Sequence, residues 1–254
     1  MVDSVAGVVL AAGAGTRLAP LTRIVPKALC PVGTVPLVDA ALARVGPWSG
    51  SLAVNLHHRG DQLDAHLPPA VHRSWEQPEA LGTAGALAQL RPWICGRAVL
   101  VTNADAWFGP DLDLEGFVAN WDHERIRLLC VRVRGRGDFG DLRYCGVALL
   151  PPAEVEALVP VPSGLYEVMW RAAAAEGRLD LVVTDRAFVD CGTPLDYLRA
   201  NLLSSGGESV IDPTATVGAH ARVERSVVWA GAEVAAGEYL VDAICTPTRT
   251  VMVR

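Results

Sequence analysis

Residues 10–27, LAAGAGTRLAPLTRIVPK, follow directly on the apolar run 5–10 and decide how the whole chain is read. The stretch carries Gly13, Gly15, Arg17, Arg23 and Lys27, and no carboxylate. An apolar run closed by Ala-Ala-Gly reads as a buried strand passing into a tight loop. Gly13 and Gly15 let the backbone turn sharply and aim N–H groups at an anion. Arg17 can fork two hydrogen bonds onto phosphate oxygens. Lys27, fixed behind Pro26, supplies a second positive charge from the far side of the loop. Ligands of open α/β sheets bind beyond the carboxyl ends of strands, which is where this loop lies. Together these features describe a triphosphate cradle.

Outward from that loop, the pattern alternates strand and helix. Residues 51–56, 71–75 and 98–102 read as short apolar strands; 35–45, 59–67 and 83–90 read as helices. Such alternation predicts a mostly parallel sheet covered on both faces, a three-layer Rossmann-like α/β domain. Beyond residue 125 the pattern loosens. Residues 127–134 and 142–150 suit strands with glycines between them, 165–175 a helix, and 181–184 and 187–189 strands. A helix over 193–203 has Thr193 as its N-cap and Pro194 in its first turn.

A different period begins after the Ser/Gly linker 204–207. Ile211, Val217 and Val223 fall six apart and, after a one-residue slip, so do Val228, Val234 and Leu240. Six-residue periodicity marks a parallel β-helix. The expected division is a domain over 1–204 and a short β-helical cap over 205–254. The cap holds fewer than two full coils, so it needs support from the main domain or from a partner subunit, and its end could seed a homodimer.

Bulk properties exclude several classes. The 254-residue chain is 51% hydrophobic with a formal net charge of −6, so a general affinity for nucleic acid or anionic membrane is not expected. The six cysteines are scattered without a CxxC pair, and no run of eighteen apolar residues occurs. A cytoplasmic protein with reduced thiols and no membrane span is the expectation. Lys27 is the only lysine beside 21 arginines among the 22 basic residues. A site that needs a slim point charge rather than a planar guanidinium explains why it persists.

Two other phosphate loops fail on detail. The Gly-Lys-Ser/Thr ending of a P-loop is absent, and Leu18 stands where the dinucleotide fingerprint needs its third glycine. LAAGAGTRLAPLTRIVPK instead resembles the signature of the sugar-1-phosphate nucleotidyltransferases. Leu81–Gly82–Thr83–Ala84–Gly85–Ala86–Leu87 resembles the LGTAGAL segment of mannose-1-phosphate guanylyltransferase-like members. Asn103-Ala104-Asp105 resembles a strand end presenting a metal-binding aspartate, and Asp190-Cys191-Gly192-Thr193-Pro194 the late D-x-G-T-P segment. A short C-terminal left-handed β-helix is also common in that family.

The resemblance implies that an NTP and a sugar 1-phosphate react to give a nucleotide-sugar and pyrophosphate, leaning toward GTP and mannose 1-phosphate. Arg17 and Lys27 become the catalytic cations. Ala12, Gly13, Gly15, Thr16, Gly82, Thr83 and Ala84 bind nucleotide, and Asp105 and Asp190 hold Mg²⁺. Both aspartates end apolar strands, where a carboxylate has no packing role, and Mg²⁺ commonly takes one or two carboxylates plus phosphate oxygens. The family's Glu-Lys-Pro-like sugar segment is missing. Asp138, Arg143 and Gly146 are the substitutes offered by the Gly/Asp-rich stretch 137–146. That departure leaves room for two other readings: a catalytically silent nucleotide-sugar sensor, or transfer to a non-sugar phosphate.

Overall fold

Seven strands build the central sheet: β1 (Val5–Leu10), β2 (Ser51–Leu56), β3 (His72–Trp75), β4 (Ala98–Asn103), β5 (Ile126–Arg132), β6 (Leu142–Leu150) and β7 (Leu179–Val183). Their order across the sheet is β7-β5-β6-β4-β1-β2-β3. The computed structural model describes residues 4–253. β1 pairs in parallel with both β2 and β4, and β2 with β3, whereas β6 runs antiparallel to β4 and β5. The sheet is therefore mixed and mostly parallel. From β1 the chain proceeds to β2 and β3 on one side, then returns to place β4 on the other. This change of direction opens a crevice at the carboxyl ends of β1 and β4.

Alternation of side chains divides the core between two faces. Val5, Val9, Val54 and Leu100 pack beneath α1 (Leu37–Val45), α2 (Gly60–His66) and α4 (Leu114–Ala119). Ala6, Val8, Val99 and Val101 pack on the opposite face beneath α3 (Gly82–Ile94), α5 (Pro152–Glu156) and the segment from Leu165 through α6 (Arg171–Ala175). The expected three layers follow.

Several boundaries differ from the sequence reading. The helix expected over 165–175 opens with a π turn, Tyr166–Trp170, before α6. β5 ends at Arg132 rather than at residue 134, because the chain folds back there: Val133 N–H donates to Asp141 O, and a Cβ at Gly137 would lie 2.3 Å from the Leu142 carbonyl oxygen. The short strand Ala106–Phe108 and helices α4 and α5 were not anticipated. Each is too short to show a period.

Past α7 (Pro194–Ser204) the chain winds into short parallel ladders. Val210 faces Val227 and Val227 faces Ile244, so successive coils stand 17 residues apart. Val217 lies beside Val234 and Val223 beside Leu240, so the six-residue period and its single slip become registered neighbours. Val228, Val234 and Leu240 are buried, while Ile211 and Val217 at the open first coil are 42% and 41% exposed. Support comes from the main domain: Tyr197 and Leu198 of α7 share a core with Leu18, Leu21, Val227, Trp229 and Ile244. Among the described residues no helix is long and apolar enough to cross a membrane.

Candidate functional site

Three segments meet at the crevice. Leu10 at the end of β1 is registered against Asn103 at the end of β4, and Ala104 N–H donates to the Leu10 carbonyl. Asp105 occupies the turn between β4 and the strand Ala106–Phe108. That strand pairs antiparallel with Phe188–Asp190, setting Asp190 opposite Ala106, and Cys191 N–H donates to the Asp105 carbonyl. This short ladder carries the late Asp-x-Gly-Thr-Pro segment to the end of β4. Thr193 caps α7 by accepting from Asp196 N–H, so Asp190 is not needed as a cap.

The opening loop brings the cations in. Gly15 has φ +58°, and a Cβ there would stand 3.0 Å from Lys27 Cβ and 2.9 Å from Thr22 Cγ2. Only glycine allows Lys27 to pass so close to the loop. Its ammonium donates to Asp105 and lies 3.6 Å from Asp190. Arg17 Nη2 is 3.8 Å from Asp190, in space kept open at Gly192, where a Cβ would be 3.0 Å from the same nitrogen. Burial and the neighbouring Asp105 raise the Asp190 carboxyl pKa above its ordinary value, against the opposing pull of Lys27 and Arg17. Two carboxylates held this close create a site that favours a further cation. Among the described residues no cluster of three or more His, Cys, Asp or Glu is poised to hold a metal. A hard cation here would complete its shell with phosphate oxygens or water, which suits Mg²⁺.

A cavity of about 220 Å³ extends from this cluster over the sheet, lined by Ala12, Gly13, Lys27, Gly82, Thr83 and Asp105. Its floor contains two residues missed in the sequence, Asn55 and Glu76. Asn55 Oδ1 accepts from Ala11 N–H at 2.6 Å, and its amide donates to Glu76 Oε1 at 2.7 Å. Glu76, fully buried, also accepts from Leu81 N–H at 2.6 Å. The pair ties the opening loop to the start of α3. A polar Asn near the end of the apolar strand SLAVNL was the available signal.

Several of the residues expected to bind nucleotide also make contacts within the protein. Ala84 N–H donates to Ser163 O, and Thr83 Oγ1 accepts from Leu165 N–H at 2.8 Å. A Cβ at Gly82 would lie 2.5 Å from that Ser163 oxygen, so this glycine is required by a backbone crossing. Ala84 is buried and does not line the cavity; Gly15 and Thr16 support the loop beside it. His57 shares a hydrogen bond with Glu76 O at 3.0 Å, in keeping with a structural role.

On the other side of the carboxylates lies a cavity of about 330 Å³ whose lining includes Arg17, Asp105, Asp138, Arg143, Gly146 and Asp190. All three residues offered for the sugar side thus border the same space as both aspartates. Asp138 Oδ2 accepts from Tyr144 N–H at 2.9 Å, while Asp141 turns away to pair with Arg132. Gly146 has φ +89°, and a Cβ there would stand 2.7 Å from Ala106 Cβ. Arg44, also unanticipated, lies beneath the Asp105 turn. It donates to Thr102 Oγ1 at 2.8 Å and Ala106 O at 2.7 Å, and its guanidinium covers the Phe108 ring. Burial lowers its pKa to about 10, which leaves it charged at neutral pH.

Comparisons with known proteins agree with this geometry. Residues 6–138 match the family model described as Nucleotidyl transferase. The chain is 29% identical over 229 residues to the N-acetylmuramate alpha-1-phosphate uridylyltransferase of Caulobacter vibrioides, covering 76% of this chain and 93% of that one. It is 24% identical over 260 residues to the mannose-1-phosphate guanylyltransferase catalytic subunit beta of Dictyostelium discoideum, covering 82% and 72%. Among solved structures, HddC from Yersinia pseudotuberculosis superimposes with a TM-score of 0.64 at 20% identity, over 77% of this chain and 97% of that one. A UDP-glucose pyrophosphorylase in complex with UDP-glucose gives 0.65 at 16% identity, over 79% and 97%. These two likenesses speak to the fold.

Proposed function

Because the chain belongs to the nucleotidyl transferase family, we propose that it transfers a nucleoside monophosphate from an NTP to a sugar 1-phosphate and releases pyrophosphate. The observation that carries this reading is the position of Lys27, touching Asp105 and Asp190 where the two cavities meet. A phosphate oxygen of the acceptor attacks the α-phosphorus in line. The bond to the leaving pyrophosphate breaks as the new P–O bond forms, and no covalent enzyme intermediate is needed. The work left to the protein is positioning and neutralisation. Each pair of unit charges at 4 Å repels by about 4 kcal/mol at an effective dielectric near 20.

In this reading the nucleotide lies over Ala12, Gly13, Gly82 and Thr83, with its phosphates reaching Arg17 and Lys27. The acceptor sugar occupies the cavity of Asp138, Arg143 and Gly146. The family generally uses a divalent metal. Asp105 and Asp190 would hold it, and Mg²⁺ is the ion their hard oxygens fit. When bound, it neutralises phosphate charge during transfer.

The curated relatives are named for uridylyl and guanylyl transfer, to N-acetylmuramate 1-phosphate and mannose 1-phosphate respectively. UTP and GTP are accordingly the candidate donors. We also read residues 1–204 as the catalytic domain and the three-sided coil as a left-handed β-helical cap. The exposed Ile211 and Val217 of its first coil offer a dimer contact. Six unpaired cysteines suit a cytoplasmic location.

A pyrophosphate-release assay crossing UTP, GTP and dTTP with N-acetylmuramate, mannose and glucose 1-phosphates tests the reaction. Release that needs both an NTP and an acceptor is expected. Binding of nucleotide without release for every pair would favour a silent sensor.

A further inference from the structure

Beyond Asp190, on the side away from the nucleotide cavity, a groove of about 650 Å³ is bordered by five arginines: Arg17, Arg132, Arg143, Arg186 and Arg199. It shares Arg17, Arg143, Phe188 and Asp190 with the acceptor cavity, so the two spaces are continuous. Such a concentration of positive charge is unexpected by chance in a chain with a net charge of −6. Three of the arginines have carboxylate neighbours: Arg132 with Asp141 at 2.6 Å, Arg186 with Asp185 at 3.7 Å and Arg17 with Asp190 at 3.8 Å. Asp196 on the groove wall is engaged by Thr193 at 2.6 Å. The side chains of Arg143 and Arg199 make no hydrogen bond or ion pair with any described residue, though they come from β6 and α7 and border one groove.

We propose that this groove is a subsite for a second anionic group on the acceptor, a carboxylate or phosphate carried in addition to the 1-phosphate. The proposal rests on the transfer reaction above. In that reaction the acceptor's 1-phosphate must approach the α-phosphorus beside Lys27, Asp105 and Asp190, which leaves the sugar in the 330 Å³ cavity and its substituents facing the groove. The hydroxyls of a neutral hexose can accept single hydrogen bonds from the free guanidinium groups but leave their charge unbalanced. A carboxylate or phosphate accepts the paired hydrogen bonds that the planar fork of arginine supplies. Arg143 stands at the junction of the two spaces, and Arg199 on the far wall sets the reach of the substituent. The acceptor named for the Caulobacter vibrioides relative, N-acetylmuramate 1-phosphate, is a carboxylate of this class.

The test is calorimetric binding of glucose 1-phosphate, glucuronic acid 1-phosphate, glucose 1,6-bisphosphate and N-acetylmuramate α-1-phosphate to the whole chain, as wild type and as Arg199→Ala and Arg199→Lys. The wild type should bind at least one doubly anionic ligand tenfold or more tightly than glucose 1-phosphate. The arm that wins separates carboxylate from phosphate. Arg199→Ala should reduce that preference about tenfold, with Arg199→Lys falling between. Equal affinity in the wild type for glucose 1-phosphate and for the three ligands that carry a second anionic group would overturn the subsite. So would an Arg199→Ala variant that weakens all four ligands equally, because the groove would then serve the 1-phosphate that they share. Pyrophosphate release, measured separately, tests the transfer reaction. A preserved binding preference without release would reject the reaction and keep the subsite.

Discussion

Lys27 and Asp190, contributed by opposite ends of the α/β domain, stand 3.6 Å apart, and the same ammonium bonds Asp105. The lysine side chain is only 12% exposed, wedged between the glycine loop and the two carboxylates. A guanidinium is broader and planar, so arginine cannot repeat these contacts without moving the loop. Lys27→Ala should lower kcat/KM for pyrophosphate release by about 10²–10³, the loss typical of one preorganised charge at a reacting centre. Lys27→Arg should lose at least tenfold despite its charge. Full activity of the arginine variant would show that charge alone suffices there.

Asp105→Asn and Asp190→Asn each keep side-chain shape and remove one negative charge. Chelation should bring pyrophosphate release to background, with Mg²⁺ restoring it. Each variant should lose more than about 10² in kcat/KM, because metal and phosphate charge are then poorly balanced. Stability should move the other way. The fold raises the Asp190 pKa, so the native state binds more protons than the unfolded chain between the ordinary and raised values. Metal-free protein therefore loses stability as pH rises through that window, and the deficit persists above it. Metal-free Asp190→Asn, which has no charge to bury, should be at least as resistant to urea at pH 7 as wild type. A clearly lower midpoint would mean that the ion pairs of Asp190 outweigh its burial.

Much of this was legible in the sequence because it rests on local pattern. The glycines and cations of 10–27 follow one another in the chain, and strand β6 matches its expected limits because it is long and apolar. The six-residue period of the coil and its slip could be read from Ile211, Val217, Val223, Val228, Val234 and Leu240, because that period is fixed by geometry. Arg44, Asn55 and Glu76 were not legible. Arg44 lies within an ordinary amphipathic helix and gains its role only when β4 and Ala106–Phe108 fold against it. Glu76, directly after β3, is joined to Asn55 on the neighbouring parallel strand β2, a pairing that no spacing announces. Gly82 lines the cavity as the sequence suggested, and the close passage of Ser163 is a second reason for a glycine there, one that lies 81 residues away in the chain.

Gly146→Ala tests how tightly the acceptor cavity is tied to the Asp105 turn. Alanine at φ +89° is strained, and its Cβ would press on Ala106 next to Asp105. The substitution should cost about 1–3 kcal/mol in urea unfolding, as expected for a side chain held in a sparsely populated backbone region. It should also raise KM for the acceptor more than KM for the NTP, because Gly146 borders the acceptor cavity and not the nucleotide cavity. An equal rise in both would place the disturbance in the shared carboxylates.

Tyr197 decides how the coil is fastened to the domain that supports it. The ring is fully buried, its hydroxyl donates to the Pro31 carbonyl, and it accepts from Trp229 Nε1 at 2.9 Å. One oxygen therefore links the loop region after Lys27, helix α7 and the second coil. Tyr197→Phe keeps the apolar packing but leaves the half-buried Pro31 carbonyl and the buried Trp229 indole N–H without this partner. An unsatisfied buried group costs about 1–3 kcal/mol, so the variant should lose about 2 kcal/mol or more in urea unfolding. Trp229→Phe removes the donor and leaves the bond to Pro31, and it also loses ring volume. A double variant should therefore lose less than the sum of the two single losses, since the contacts are shared. Additive losses, or a Tyr197→Phe midpoint equal to wild type, would mean that apolar contact among Leu18, Val227 and Ile244 fastens the coil without this oxygen.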